Sequence, residues 1–320
     1  MPRDYSFFVG DIALDEYYRA PYWPQLREKV LVKALPPAVG GMIANAASVY
    51  AGYNETVRFL ALLNRRSITQ VLCEDLRRQG IDTSYIQYDD TLPDSKTIII
   101  LTEDDHTVFI PTLGIQHIDV TPPTIEAMGA AQYVYSTIAE FKPLRCGNLT
   151  AVDIARRIRA AGAKLVYDLD VAHIEPADEI YFTEVDIAFF NRKGFEVYRN
   201  GAGYAETVSR LLGYGTEIVV VTLAEAGCRV HTRDGDSSVP GIPVAVADVT
   251  GAGDTFCSSF IYALGKGAAP RTAAGFANAA AARSVTILGP RGGVAAARTV
   301  VDFMRQHGVA GSSEYDCLLK

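Results

Sequence analysis

In the stretch Asp248-Val249-Thr250-Gly251-Ala252-Gly253-Asp254-Thr255-Phe256, two glycines stand directly ahead of a helical pattern. Phe256, Phe260, Ala263 and Leu264 recur at i, i+4, i+7 and i+8, and Gly265 and Gly267 supply the stop, so the spacing predicts a helix beginning at the glycines. The first N–H groups of a helix have no partner within it and carry the positive end of its dipole, and glycines let an anion come close to the backbone. Asp254 falls in the first turn, where its carboxylate can accept a proton from a hydroxyl attacking a bound phosphate. Phosphate cradle and base then come from one segment. An ordinary strand-to-helix turn, with Asp254 complementing the dipole, is the plainer reading of the same residues.

Elsewhere the pattern alternates. Residues 5–9, 57–62, 132–136, 164–169, 186–190 and 217–223 read as strands, and residues 41–52, 67–79, 149–161, 204–212 and 271–284 as helices. Such alternation predicts a parallel sheet with helices on both faces and a ligand site at the carboxyl ends of the strands. Asp11 and Asp15 follow the first strand there, although two acids can also simply solvate a loop. Gly40 and Gly41 open the second helix, and Asn45 in its first turns offers both a donor and an acceptor. Three short β runs, 84–88, 96–102 and 106–110, are separated by turn-forming residues and read as a small antiparallel meander. The aromatic, proline-broken segment 16–24 and the extended 29–35 suit an edge strand or flap, whose aromatics could stack on a ligand or pack a subunit interface. The final GVAGSSEYDCLLK reads as a loosely held tail.

A chain of 320 residues with 49% hydrophobic content can bury a large core as one α/β domain. A formal net charge of −7 gives no basic footprint for nucleic acid or an anionic membrane surface. Five scattered cysteines without CxxC argue against disulfide or zinc frameworks and for a reducing cytoplasm, and the dispersed histidines lack ligand spacing. No stretch approaches the ~18 to 20 apolar residues of a membrane span, and no secretory leader is read at the start.

DVTGAGDTF resembles the signature D-T-x-G-A-G-D-x-F of the ribokinase-like (PfkB) carbohydrate and nucleoside kinases, and the resemblance extends over most of the chain. It implies an α/β three-layer sandwich with a central mostly parallel sheet, one domain over residues 1–320, and a small antiparallel β lid formed by about 16–35 and 84–111. In the family the lid covers the substrate and in many members also makes the dimer contact, so the resemblance implies a homodimer through the lid. Closure would keep water from competing with the acceptor. The resemblance assigns the base to Asp254 and the phosphoryl-stabilising amides to Gly251, Ala252 and Gly253. The motifs G-D-x-x-x-D and G-G-x-x-x-N-x-A assign acceptor contacts to Asp15, Gly41 and Asn45.

On the nucleotide side, Asn191 matches the Asn of N-x-x-E, whose Glu helps hold a magnesium-bound water; Gly194 replaces that Glu, and Glu196 stands nearby. Thr222 and Gly227 match a T-L-G-x-x-G loop in which Ala224 replaces the first Gly. Asn278 matches a position beside the nucleotide base, its plainer reading being a polar residue on a solvent-facing helix side. Asp248 and Thr250, with a loop near 285–289, match a monovalent-cation site. Departures also fall at 64–69, where many members carry G-x-D-x-x-G, and at 168–172, where Asp170 and Ala172 replace the Asn and Arg of D-x-N-x-R, a pattern of members acting on ketohexoses or keto-acid sugars. The expected activity is ATP-dependent phosphorylation of a hydroxymethyl group of a small sugar, with Mg2+ and a K+ site as implied cofactors. A nucleoside kinase is the nearest alternative. A non-catalytic metabolite sensor is a third reading, and the intact Asp254 argues against it.

Overall fold

Strands that are mostly apolar and buried along nearly their whole length set the architecture. Ser6–Val9 and Tyr133–Ser136 are buried at every position, and Lys164–Leu169, Ile187–Asn191 and Ile218–Thr222 at all but one. This is the signature of strands covered on both faces. The computed structural model describes residues 3–103, 106–169, 176–309 and 311–319. Its main sheet has eight strands in the order Gly235–Val239, Cys228–Thr232, Ile218–Thr222, Ile187–Asn191, Lys164–Leu169, Tyr133–Ser136, Ser6–Val9, Val57–Leu60. The six from Ile218–Thr222 onward run parallel, and the two at the other end close an antiparallel hairpin that the sequence reading had not resolved.

Because successive strand residues point to opposite faces, each strand feeds two cores. Phe8, Tyr135, Val166, Phe189 and Val220 pack with the helices Met42–Gly52, Ser67–Arg78, Ala252–Gly265, Pro270–Ser284 and Ala297–Gln306. Phe7, Val134, Leu165, Tyr167 and Phe190 pack with Pro122–Ala130, Ala151–Ala160, Arg192–Arg199 and Tyr204–Gly213. The result is a ribokinase-like three-layer α/β/α sandwich. Helix starts are fixed locally: Thr150 caps Ala151–Ala160 in a capping box with Asp153, and Asn191 caps Arg192–Arg199.

A second, small sheet is built on Ala13–Arg19. It pairs antiparallel with Lys33–Ala34 and Ala38–Gly40 and parallel with Lys96–Leu101, to which His106–Phe109 adds antiparallel. The lid is therefore antiparallel at its flanks with one parallel pair at its centre. The expected run 84–88 does not join it. Only Gln87–Tyr88 is strand, paired with Leu62–Leu63 as a separate two-stranded sheet, because Gln87 N–H meets the Ala61 carbonyl at 2.8 Å where the chain leaves the main sheet. Of the extended 29–35 only Lys33–Ala34 pairs. The tail is also not loose: Ser312–Leu319 forms a 3₁₀ segment that seats Tyr315 and Leu318 in the first core, and the Leu318 carbonyl accepts from the Tyr262 hydroxyl. Residues three apart eclipse in such a helix, so both side chains leave the same side.

Candidate active site

Two helices from opposite ends of the chain start at one place, beside the carboxyl ends of the parallel strands. Gly251 is the N-cap of Ala252–Gly265, in the left-handed region at φ 76°, and a Cβ there would lie 2.0 Å from the Pro290 carbonyl oxygen. A glycine is needed twice over, for the backbone angle and for the close approach of the C-terminal loop. Around Gly253 a Cβ would meet nothing within 4 Å, so the side of this helix's first turn is open there. The Ala252 N–H turns back to the Val249 carbonyl at 3.2 Å, which leaves the open donors to begin with Gly253. An anion fits this cradle: the helix is long, its N-terminus is uncapped by any side chain, and the side of its first turn is empty of protein at Gly253.

Asp254, one residue on, is 8% exposed, and the Asn45 Nδ2 donates to its Oδ2 at 3.0 Å. Asn45 is itself buried in the first turn of Met42–Gly52, whose N-cap Gly41 has φ 100° and sits against Ile12. The Asp11 carboxylate accepts from the Met42 and Ile43 N–H groups at 3.0 and 2.9 Å, so it caps this helix instead of solvating a loop. Asp15 lies on the first lid strand, 6% exposed, bonded to Thr97; burial pushes its carboxyl up to about 6, with the Thr97 bond opposing. The structure therefore brings Asp15, Gly41, Asn45 and Asp254, which the sequence reading had placed in one site, close to one another.

The sequence reading missed Glu140, Asp75 and Arg291 there, and named Asp168 only as the first residue of the D-x-N-x-R match, without a role. Glu140, following the strand Tyr133–Ser136, has its carboxyl pushed up to about 8 by burial and by the neighbouring Asp11. Asp168, at the end of Lys164–Leu169, accepts from the buried Tyr135 hydroxyl at 2.5 Å beside Cys257. Arg291, in the loop against Gly251, donates from Nε to Asn45 Oδ1 at 3.4 Å and is paired through Nη1 with Asp75 of Ser67–Arg78. A T-x-x-E capping pattern at Thr137 was available as a signal for Glu140; nothing local marks Asp75 or Arg291. Asp170 and Ala172 lie outside the described residues.

The nucleotide-side candidates form a second group. Asn191 and Thr222 are register partners at the ends of adjacent strands. Asn191 Oδ1 accepts from Gly194 N–H at 2.7 Å, so the residue in the family Glu position is a buried helix turn. Glu196 does not replace it: its carboxylate pairs with Arg199 on the outer side of the helix. Gly227 packs against the backbone of 239–241, where a Cβ would lie 2.1 Å from the Val239 oxygen. Asn278 is buried, not solvent-facing, and its Nδ2 donates to the Val239 and Pro240 carbonyls at 3.1 Å each. It thus holds the backbone that packs on Gly227. Asp248 ties the signature to the C-terminal loop, accepting from Thr250 N–H at 2.9 Å and Gly289 N–H at 2.8 Å, while the Ala247 and Asp248 N–H groups donate to the Val285 carbonyl.

A carboxylate held beside a helix N-terminus that no side chain caps is an arrangement suited to a phosphotransferase that acts on an alcohol. Residues 6–296 match the pfkB family of carbohydrate kinases, and the chain belongs to that family. It is 25% identical over 251 residues to fructokinase-1 of Oryza sativa subsp. japonica, covering 71% of this chain and 74% of that protein. It is 25% identical over 249 residues to 5-dehydro-2-deoxygluconokinase of Clostridium beijerinckii, covering 72% and 73%. The fold superposes on Arabidopsis thaliana ribokinase complexed with ribose and ATP with a TM-score of 0.81, at 20% identity over 94% of this chain and 99% of that one.

Two measurements check this geometry. Gly253→Ala should fold with unchanged or slightly higher thermal stability, since its Cβ meets no atom and alanine favours a helix by about 1 kcal/mol, yet lose about 10- to 100-fold in kcat/KM for ATP. Gly251→Ala should lose both activity and stability; equal behaviour of the two variants would refute the cradle. Asp15→Asn should raise the acceptor KM and stabilise the protein by about 1–3 kcal/mol above pH 6, with the gain vanishing towards pH 4. The sign follows from a folded-state pKa above the ordinary value: the cost of burying the charge appears only as pH rises through that window. Denaturant melts at both pH values decide it.

Proposed function

We propose that the enzyme transfers the γ-phosphoryl group of ATP to a hydroxymethyl oxygen of a small uncharged sugar. The observation that carries the reading is the Asn45–Asp254 hydrogen bond, which joins the acceptor-side helix to the base beside the Gly253 cradle. ATP, when bound, supplies the phosphoryl group. Asp254 takes the proton of the attacking hydroxyl, while Asp15, Gly41 and Asn45 orient the acceptor. The donors beginning at Gly253 face the charge that develops on the transferred group, with Gly251 and Ala252 shaping the turn that presents them. Asn191, Thr222, Gly227 and Asn278 form or support the nucleotide side.

Among the described residues, the acceptor side carries the carboxylates of Asp15 and Asp254, with Glu140 kept largely protonated at neutral pH by burial, against one guanidinium, Arg291, whose charge Asp75 already balances. A sugar acid would enter against that field, and the Arg that keto-acid-sugar kinases carry is Ala172 here. An uncharged pentose or hexose fits it better than a gluconate-like acceptor. No cluster of three or more metal-binding side chains occurs among the described residues, which suits Mg2+ held by nucleotide phosphates and water. A K+ ion beside Asp248 and Thr250 is part of this proposal. Five free cysteines suit the cytoplasm, and among the described residues no helix is long and apolar enough to cross a membrane.

ATP consumption over pentoses, hexoses, sugar acids and nucleosides, in K+ and in tetramethylammonium salts, tests this. Turnover of an uncharged sugar, lost by about 10²- to 10⁴-fold in Asp254→Asn, is expected, with a lower rate when K+ is absent. Preference for a sugar acid or nucleoside would overturn the substrate class. Binding without turnover would favour the sensor reading, for which Gly194 would be the residue to explain.

The lid also exposes an apolar surface: Leu26, Leu31 and Ile110 are 96%, 94% and 73% exposed, beside Trp23 stacked on Phe109. We infer a homodimer through this face. Light scattering should give twice the 34.6 kDa chain mass, and Leu31→Glu with Ile110→Glu should give the monomer; a monomeric wild type would rule the contact out.

A further inference from the structure

We propose that Arg291 is a positioning residue for phosphoryl transfer, fixing through Asn45 the orientation of the Asp254 carboxylate; the proposal rests on the kinase reading above.

The chain of contacts runs Asp75–Arg291–Asn45–Asp254 and joins the helices Ser67–Arg78, Met42–Gly52 and Ala252–Gly265 through the C-terminal loop. Its polarity admits one arrangement. A carboxylate only accepts and a guanidinium only donates, so the Asn45 amide must turn its NH2 to Asp254 and its oxygen to Arg291. Without the arginine the amide can flip, and its oxygen would then face a carboxylate. Asp254 already opposes that flip, and Arg291 adds to its cost because the turned NH2 would face a guanidinium, which only donates.

The arginine is itself held from several sides. Pro290 packs on Gly251, Gly289 N–H is bonded to Asp248, and the Arg283 guanidinium donates to the Gly292 carbonyl at 3.1 Å. Asp75 receives Nη1 and is also approached by Arg78 at 3.6 Å. The Nη2 atom is buried with no hydrogen-bond partner, so the site does not maximise pairing of the guanidinium; it fixes the direction of Nε. Burial works against the charge, and Asp75 and Asp15 support it. Among the described residues, Tyr135 from the sheet, Cys257 on the same helix and Asp168 interact electrostatically in the surroundings of Asp254. Arg291 brings positive charge towards the base by polarising the amide that donates to it.

The test uses Arg291→Met, Arg291→Lys, Asn45→Ala and the double variant Asn45→Ala with Arg291→Met, on the acceptor that the wild type turns over best. Arg291→Met should lower kcat about 10- to 100-fold with the KM for ATP within about twofold of wild type. Its acid limb in the pH profile should move up by about half a unit or more, because the ionised base loses support. Arg291→Lys keeps a charge opposite Asp75 but lacks the side-on Nε–H, so it should fold normally and recover only a small part of kcat. In the Asn45→Ala background the Arg291→Met loss should vanish, the relay being already cut. Wild-type kcat and acid limb in Arg291→Met, or losses that simply add in the double variant, would overturn the proposal. Should Arg291→Met fail to fold, Arg291→Lys decides: a kcat about threefold or more below wild type supports the relay, and wild-type kcat sinks it. A wild type that turns over no acceptor removes the kinase reading and the relay together, whereas an active wild type with indifferent variants removes the relay alone.

Discussion

The hydrogen bond from Asn45 Nδ2 to Asp254 Oδ2 spans 209 residues of sequence and holds the site together. It requires two helix N-termini to face one point, and the packing between those helices allows it. Small side chains let the two approach closely: Ser258 Oγ donates to the Ala46 carbonyl at 2.6 Å, and the neighbouring Ser259 shares a hydrogen bond with the Tyr53 hydroxyl at the far end of the other helix. Beneath them Phe256 and Phe260 rest edge-on against Phe189 of the sheet. The cradle at Gly253, the base at Asp254 and the acceptor contact at Asn45 proposed above would therefore all be consequences of a single helix pair seated on the strand ends.

That arrangement concentrates acids where water is scarce. Asp11, Asp15 and Glu140 all lie above their ordinary pKa, chiefly through burial. Asp11 offsets part of its cost by accepting from two N–H groups at a helix start. Asp15 offsets less, which is the usual state of a group kept for a ligand and not for the fold.

What the sequence revealed followed locality. The glycine–helix junction at Gly251–Asp254, the acid after the first strand and the Gly41–Asn45 helix start are short-range patterns, each readable within one turn. Arg291 is not such a residue: its partners Asn45 and Asp75 are 246 and 216 positions away, and a lone arginine in a C-terminal loop has no local reason to be buried. Gln87–Tyr88 failed for a related reason, since a two-residue strand is defined by the partner it meets, here Leu62–Leu63, and not by its own composition. The tail was read as loose because its polar composition hid the Tyr315–Leu318 spacing that only a 3₁₀ turn makes one-sided.

The strand Ala13–Arg19 belongs to the lid sheet throughout, yet Asp15 near its start faces Arg291 and Asp11. Cover and recognition are thus carved from one piece of backbone. On the proposed acceptor role of Asp15, a lid that swings away would take an acceptor contact with it, so an open enzyme would also be one without a complete acceptor site. Affinity measured for the sugar would include the work of bringing that strand home, and an occupant too small to retain Asp15 would be released before the reaction could begin.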